Sequence, residues 1–543
     1  MIVLGINGGV RLGYQDTSAA LVIDGKLVAA VEEERLSRVK FAPGQIPQKA
    51  ILEVLRIANI GIQEVDYVAT HGLTWGEEYS EVIASYLKHT FRHCPKIERV
   101  HHHNAHAASA FYASGFKEAM VLTSDNSGDG VSTQLAIGNG SGIEVKERFS
   151  RPNSLGMFYS MITQFCGFGR DSDEYKLMGL AAYGKPTMDL TDIIRTDGDF
   201  YSVNESYLKE VAPGASQPSR QQPMFSSKLG EHLGLASRGP YEGISIDHEN
   251  LAASAQLKLE EMLVHVVTRF HQKTGLRKLC LAGGTMLNCA ANQKLMNLDF
   301  IDDIYVQPAA GDAGISLGAA YWVAHQVGDV PCENKHSYWG ASFQSEEIQK
   351  VLDVTGASFE KITDPALTAA QKVAKNEVVA WFQGRAEYGP RALGNRSILA
   401  NPSTQGMNDT VNQKIKFRES FRPFCPSVMA EDSPMYFEGK QKESPYMTLT
   451  YNVNKRGQSE LPAVTHVNGT ARIQTVSEEQ NPWFYKYLNH MKSLTGTSVT
   501  MNTSFNVKGE PMVYHPLDAL RTFAGSGIDH LVMGNFLLSK KGR

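Results

Sequence analysis

The sequence predicts an α/β protein built as two domains, and two observations carry that expectation. A unit made of an apolar strand, a glycine loop and a hairpin occurs twice, about 115 residues apart, and a fresh alternation of helix and strand starts near residue 359 after weaker patterning. The length agrees, since 543 residues exceed what one hydrophobic core usually serves. With 42% apolar and 20% charged residues the chain can fill such cores, which excludes the disordered and fibrous classes.

The first unit opens with apolar residues 2–7, closed by Gly8 and Gly9. Residues 18–23 and 26–31 flank Asp24-Gly25, a pair that supplies the positive φ angles of a tight hairpin. A helix is expected over about 47–57. The second unit starts at Ala119: AMVLTSD reads as strand, NSGDG as glycine loop, and the following 20 or so residues as another hairpin. Together they predict a duplicated nucleotide-binding core, although glycines serving only the hairpins would leave the same trace. Residues 211–246 are polar and rich in Pro, Gly, Ser and Gln, and read as a loop or lid outside the core. Beyond them, 251–273 and 315–327 have helical periodicity, and KLCLAGG reads as a buried strand entering a glycine turn. KVAKNEVVAWFQG then opens the second domain, so the expected division is 1–345 and 355–543.

A net charge of -4, from 53 basic and 57 acidic residues, offers no general field for a polyanion, so nucleic acid contact would have to be local. No stretch reaches the roughly 20 apolar residues of a membrane span, and the start lacks the basic region and cleavage site of a signal peptide. Cytoplasm is the expected location and a homodimer the default assembly. Cys94, Cys166, Cys280, Cys289, Cys332 and Cys425 form no CxxC pair and read as reduced packing residues.

Residues 101–110, HHHNAHAASA, favour helix because of their alanines. His102 and His106 then stand four apart on one face, a spacing at which two imidazoles chelate one borderline metal, while His101 and His103 point elsewhere. Asp125 ends the strand AMVLTSD and Asp312 follows the strand IYVQP, both at strand ends where loops gather chemistry. Two histidines with two carboxylates would complete a site with room for substrate oxygens. Turn capping is the competing role for each aspartate.

Gly283 and Gly284, between a strand and a helix that starts near Asn288, are placed so that backbone amides could face phosphate or ribose. Lys176 is a lone cation in an apolar run, and a buried lysine is costly without a partner, which favours an anionic ligand. Arg385, Arg391, Arg396, Lys414, Lys416, Arg418 and Arg422 crowd into about 40 residues among glycines and prolines, a pattern suited to phosphate oxygens. Asn502 to Asn506 present short polar side chains able to bind an amide or a phosphate, or to form Asx turns.

Taken along the whole chain, VEEERLSRVK (31–40), HHNAHAASAF (102–111), YKLMGLAAYG (175–184), LAGGTMLN (281–288), GRAEYGPRALGNRS (384–397), KFRESFRPFCPS (416–427) and NTSFNVKGEP (502–511) resemble the O-carbamoyltransferase family that includes the nodulation-factor, cephamycin and tobramycin carbamoyltransferases. The resemblance implies an actin and sugar-kinase-like first domain and a YrdC-like second one. It implies that ATP, with magnesium, and carbamoyl phosphate give carbamoyladenylate, and that a metal that is iron in the family assists transfer to an acceptor hydroxyl. Carried over by position, His102, His106, Asp125 and Asp312 would hold the metal. Arg391, Lys416, Arg418, Arg422, Arg472, Asn502 and Ser504 would hold carbamoyl phosphate and ATP. Lys176, Gly283, Gly284 and Asn288 would face the adenylate.

One position departs from the family pattern. Where many relatives read His-Asp-x-Ser-Ala, this chain has Gln15 and Asp16, and glutamine cannot act as a base. Asp16, the metal or a different acceptor must compensate, with Gln15, Asp16, Lys416 and Arg391 as catalytic candidates. Two other functions fit the same motifs: a threonylcarbamoyl-type transferase acting on tRNA, and a non-catalytic sensor of carbamoyl phosphate or nucleotide. The acceptor, a sugar, natural product or hydroxymethylated nucleobase, is not named by the sequence.

Overall fold

Asp24 and Gly25 turn the chain with φ angles of 49° and 75°, the left-handed pair that a two-residue hairpin requires. In this computed structural model, which describes residues 1–9, 16–209 and 222–540, the hairpin belongs to a five-stranded sheet. Its order is Lys26–Glu32, Ser18–Ile23, Ile2–Asn7, Tyr67–His71, Lys96–Val100. Ile2–Asn7 runs antiparallel to Ser18–Ile23, with Ile2 opposite Ile23, and parallel to Tyr67–His71.

A second sheet repeats this plan strand for strand: Gly142–Ser150, Val131–Asn139, Ala119–Gly128, Lys278–Ala282, Asp303–Val306. Ala119–Gly128 is antiparallel to Val131–Asn139 and parallel to Lys278–Ala282. The duplication expected from the sequence is therefore one of topology, not only of hairpin glycines.

Two helices are fixed by backbone proximity. Gly5 lets the first strand approach the Ile315–Gln326 helix so closely that a Cβ there would lie 1.8 Å from the Ser316 carbonyl oxygen. On the same helix, a Cβ on Gly318 would lie 1.7 Å from the carbonyl oxygen of Ala105 in the His102–Phe111 helix. The long Ile246–Thr274 helix starts at a Ser245 cap and stops at Gly275, whose φ of 69° ends the helical path.

The chain divides into two compact units: Met1–Leu27, Pro43–Ile46 and Ile60–Glu333, then Val28–Ala42, Pro47–Asn59 and Asn334–Arg543. The contiguous boundary expected near 345–355 assigned residues 28–42 and 47–59 to the first domain, and here they count with the second. The physical reason lies in single side chains, such as the buried Arg35 and Glu53, whose partners are more than 350 residues away in the chain. Within the second unit an eight-stranded sheet runs Glu360–Lys361, Phe536–Ser539, His530–Met533, Val379–Phe382, Arg396–Ala400, Val499–Ser504, Cys425–Met429, Gln474–Val476. Trp381, Phe484, Tyr487 and Leu488 pack between it and the helices Pro365–Ala374 and Pro482–Thr495.

The expected lid needs correction where it is described. Residues 210–221 lie outside the described residues. After them Met224 is buried and Ser227–Leu233 is a short helix with Leu229 fully buried, so two apolar anchors tie this polar stretch down. All six cysteines are unbridged. Among the described residues no helix is long and apolar enough to cross a membrane.

The contact at Gly318 predicts that Gly318→Ala forces the two helices apart, at a cost of about 1–3 kcal/mol. Thermal unfolding should show a Tm lower by a few degrees, and an unchanged Tm would mean the helices repack freely.

Candidate functional site

The His102–Phe111 helix starts at His101, whose ring accepts the His103 amide. Its first turn is held by Asp129, which accepts the His102 amide at 2.9 Å and the amide and hydroxyl of Thr74 at 3.0 and 2.9 Å. Burial pushes the Asp129 carboxyl up, but these donors outweigh it and leave the group at about 2. His103 points away from its neighbours' face and bonds Thr123 Oγ1 at 2.7 Å and the Val131 carbonyl at 3.0 Å.

The other two imidazoles converge. His102 Nε2 lies 3.3 Å from Asp125 Oδ2 and 3.7 Å from Asp312 Oδ1; His106 Nε2 lies 3.1 and 3.5 Å from the same atoms. One ligand atom from each of the four residues falls within 4.8 Å of all the others. Gly128 makes room, because a Cβ there would lie 2.1 Å from the His102 ring.

The crowding sets the charges. Burial opposes a charge on His106, yet the two carboxylates raise its pKa to about 9. Asp125 is likewise opposed by burial and is held well below the usual carboxylate range by its two histidine bonds, whereas burial and the Asp125 charge push Asp312 up. Two imidazole nitrogens and two carboxylate oxygens aimed at one point are the donor set of a first-row divalent metal, so the residues fit such an ion.

The remaining sequence-named residues of the first unit divide. Asp16 Oδ2 lies 3.8 Å from where a Cβ on Gly311 would stand, one residue before Asp312. Gln15 lies outside the described residues. Gly283, with φ 97°, gives its amide to the Ala310 carbonyl at 2.8 Å, and a Cβ on Gly284 would lie 3.0 Å from Asp125 Oδ1. Gly284 thus leaves room for Asp125, Gly283 lies against the Ser124 backbone, and its amide is bonded to Ala310. Asn288 caps the Cys289–Met296 helix and exchanges two amide bonds with Gln256, which occupies the side chain expected to face an adenylate. Lys176 has its partner within the protein, Asp173 at 3.0 Å, which removes the argument that its burial required an anionic ligand.

In the second unit the sequence cluster divides: Arg418 and Arg422 lie close enough to Lys416 to repel its charge, whereas Arg385 and Arg396 spend their guanidinium groups on backbone carbonyls. Lys416 is buried, and its Nζ donates among four oxygens: Ser504 O at 2.6 Å, Ser504 Oγ at 3.2 Å, Asn506 O at 3.0 Å and Asn506 Oδ1 at 2.8 Å. Burial first, then the charges of Arg418, Arg422 and Lys40, push its pKa well below the usual lysine range. Arg418 bonds Asn412 Oδ1 at 2.6 Å and lies over the Phe424 ring, and Arg422 sits 3.7 Å from Glu419. The Arg472 guanidinium straddles the Cys425 sulfur at 3.1 and 2.9 Å. Asn502 donates to the Ala392 carbonyl, Ser427 and Gln474, leaving its buried Oδ1 without a hydrogen bond. Arg391 is half-buried. Sequence reasoning missed Asp129 and Lys40, which no local pattern marks, whereas Asn506 closes the run of short polar residues from 502 that the sequence singles out.

A metal-type ligand set beside duplicated sheets in the first unit, and a caged lysine near Arg418 and Arg422 in the second, define a two-unit α/β class. Family comparison narrows the class: models described as carbamoyltransferase N-terminus and C-terminus match residues 73–321 and 370–540. The chain belongs to the carbamoyltransferase family. It is 34% identical to the nodulation protein NolNO of Sinorhizobium fredii, over 100% of this chain and 83% of that one. It is 38% identical to NolO of Bradyrhizobium diazoefficiens, over 81% and 79%. The 3'-hydroxymethylcephem-O-carbamoyltransferase of Amycolatopsis lactamdurans is 32% identical over 68% of this chain and 65% of its own. A solved HypF from T.kodakarensis overlaps 61% of this chain and 49% of its own at a TM-score of 0.35, too loosely for anything about chemistry to follow.

Because Asp129 is held below its ordinary value, its stabilisation is full above the unfolded pKa of about 4 and is lost as pH falls through about 2. Asp129→Asn should therefore cost about 2 kcal/mol at pH 7. Denaturant titrations of both proteins should converge as pH falls from 4 toward 2; a gap independent of pH would contradict the assignment.

Proposed function

We propose that the chain is an O-carbamoyltransferase in which water cleaves carbamoyl phosphate to carbamate and phosphate, a carbamate oxygen attacks the α-phosphorus of ATP, with magnesium, to give carbamoyladenylate and pyrophosphate, and an acceptor hydroxyl then takes the carbamoyl group and releases AMP. The observation that carries the transfer half is the convergence of His102, His106, Asp125 and Asp312 within 4.8 Å. These four residues would hold a divalent metal, iron by resemblance to the family, which when bound supplies Lewis-acid polarisation of the carbamoyl oxygen or of the acceptor hydroxyl.

The chain's own groups supply the rest. Asp16, near Gly311 and hence near Asp312, is the carboxylate best placed to accept the acceptor's proton, a role open to it because Gln15 cannot take it. In the second unit, carbamoyl phosphate and ATP are polyanions that must be held in attack geometry against their mutual repulsion. Lys416, Arg391, Arg418, Arg422 and Arg472 provide the opposing charge, with Asn502 and Ser504 as polar contacts. Burial first, and then the neighbouring cations, disfavour the Lys416 ammonium, and phosphate oxygens close to it would favour that charge. We assign the second unit the YrdC-like adenylate-forming role, and the acceptor remains any alcohol that reaches the metal centre.

Two variants separate the half-reactions. His106→Ala should abolish transfer while ATP–pyrophosphate exchange driven by carbamoyl phosphate persists; equal loss of both refutes the division of labour. Arg391→Ala should lower that exchange by at least about 100-fold, the scale of a lost charged contact in a desolvated site. Unchanged pyrophosphate release from this variant would refute its role.

A further inference from the structure

The loop from Glu387 to Arg396, which carries Arg391, has its backbone tied at both ends by buried carboxylates, Glu32 at Gly389 and Glu387 at residues 393–396. At its start, Glu32 Oε1 accepts the Gly389 amide at 2.8 Å, and Arg35 Nη2 donates to the Gly389 carbonyl at 2.8 Å and to Glu32 Oε1 at 3.2 Å. At its end, Glu387 Oε1 accepts three amides, those of Leu393, Asn395 and Arg396, at 2.8, 2.9 and 3.1 Å. Glu32, Arg35 and Glu387 are 5%, 4% and 2% exposed, so these charged bonds act with little solvent screening. Pro390 is exposed and Arg391 half-buried, so they form the part of the loop turned outward between the two anchors.

A buried carboxylate and guanidinium carry a large desolvation cost, and replacing such a pair by apolar residues is often neutral or stabilising for a fold. A purely structural staple for a glycine turn could be built from neutral groups. Here both backbone groups of one glycine, two residues before Arg391, are gripped by charged side chains from a segment 354 residues upstream. Glu32 Oε2 and Glu387 Oε2 are buried without hydrogen bonds, so each carboxylate is committed to the loop through one oxygen.

We propose that Glu32 and Arg35 are positioning residues for phosphate binding: they preset the backbone at Gly389 so that the Arg391 guanidinium is already aimed at the carbamoyl phosphate or nucleotide phosphates. This rests on the donor-binding role given above to Arg391. Preorganisation of this kind lowers the ordering cost paid on binding, so its loss appears in affinity more than in turnover.

The test uses the full chain, carbamoyl phosphate binding by calorimetry, and pyrophosphate exchange. Glu32→Ala and Arg35→Ala should weaken carbamoyl phosphate binding and raise its KM at least about tenfold, as expected for loss of a charge-assisted bond, with kcat changed much less. Arg35→Lys, which keeps a donor for the Gly389 carbonyl, should recover part of the affinity. In an Arg391→Ala background, Glu32→Ala should weaken binding no further, because the two act through one contact. Should Glu32→Ala fail to fold, Glu32→Gln carries the same cycle, since it keeps the acceptor and loses the charge. Wild-type affinity in the alanine variants, or fully additive losses with Arg391→Ala, overturns the proposal alone. A wild-type chain without carbamoyl phosphate binding or exchange overturns the donor reading, and this proposal with it.

Discussion

Two imidazoles one helical turn apart, facing two carboxylates, are the constraint around which the first unit is built. His102 and His106 are almost fully buried, and Asp125 and Asp312 meet them at 3.1–3.7 Å. Removing either member of such a set leaves an uncompensated buried charge, a loss of about 3–5 kcal/mol. The surrounding glycines follow from the same demand. Gly128 clears the His102 ring, Gly284 clears the Asp125 carboxylate, and Gly318 lets the histidine helix lie against its neighbour. Asp129 fixes the first turn of that helix by gripping the His102 amide.

The second unit meets a different demand, keeping a buried lysine in place close to other cations. Lys416 is kept in place by four oxygens from Ser504 and Asn506 while other cations press on it. Arg391 rides on a loop whose ends are tied to buried carboxylates.

Much of this was readable from residue order. The i, i+4 histidines, the aspartates at strand ends and the two hairpin units each rest on a local period or a local turn, and the chain folds them as that logic requires. Of the Arg385–Arg422 run, only Lys416, Arg418 and Arg422 come together, and Arg385 and Arg396 serve backbone carbonyls instead. What escaped is mostly long-range. Nothing near Asn288 announces Gln256, 32 residues away, whereas the Asp173–Lys176 pair is an i, i+3 contact that residue order did offer and that went unread. Residues 28–42 and 47–59 carry no compositional sign of the unit they pack into, because that allegiance rests on single buried side chains with remote partners. Glycine turns posed the opposite problem: LAGGTMLN has the composition of a phosphate loop, but its amide is spent on Ala310.

The most direct test of the metal centre is X-ray absorption at the metal edge on the full chain loaded with one equivalent of Fe(II). The account predicts a first shell with two imidazole nitrogens and two carboxylate oxygens from the protein, and loss of one imidazole in His106→Ala. A shell without histidine, or one unchanged by that substitution, would contradict it.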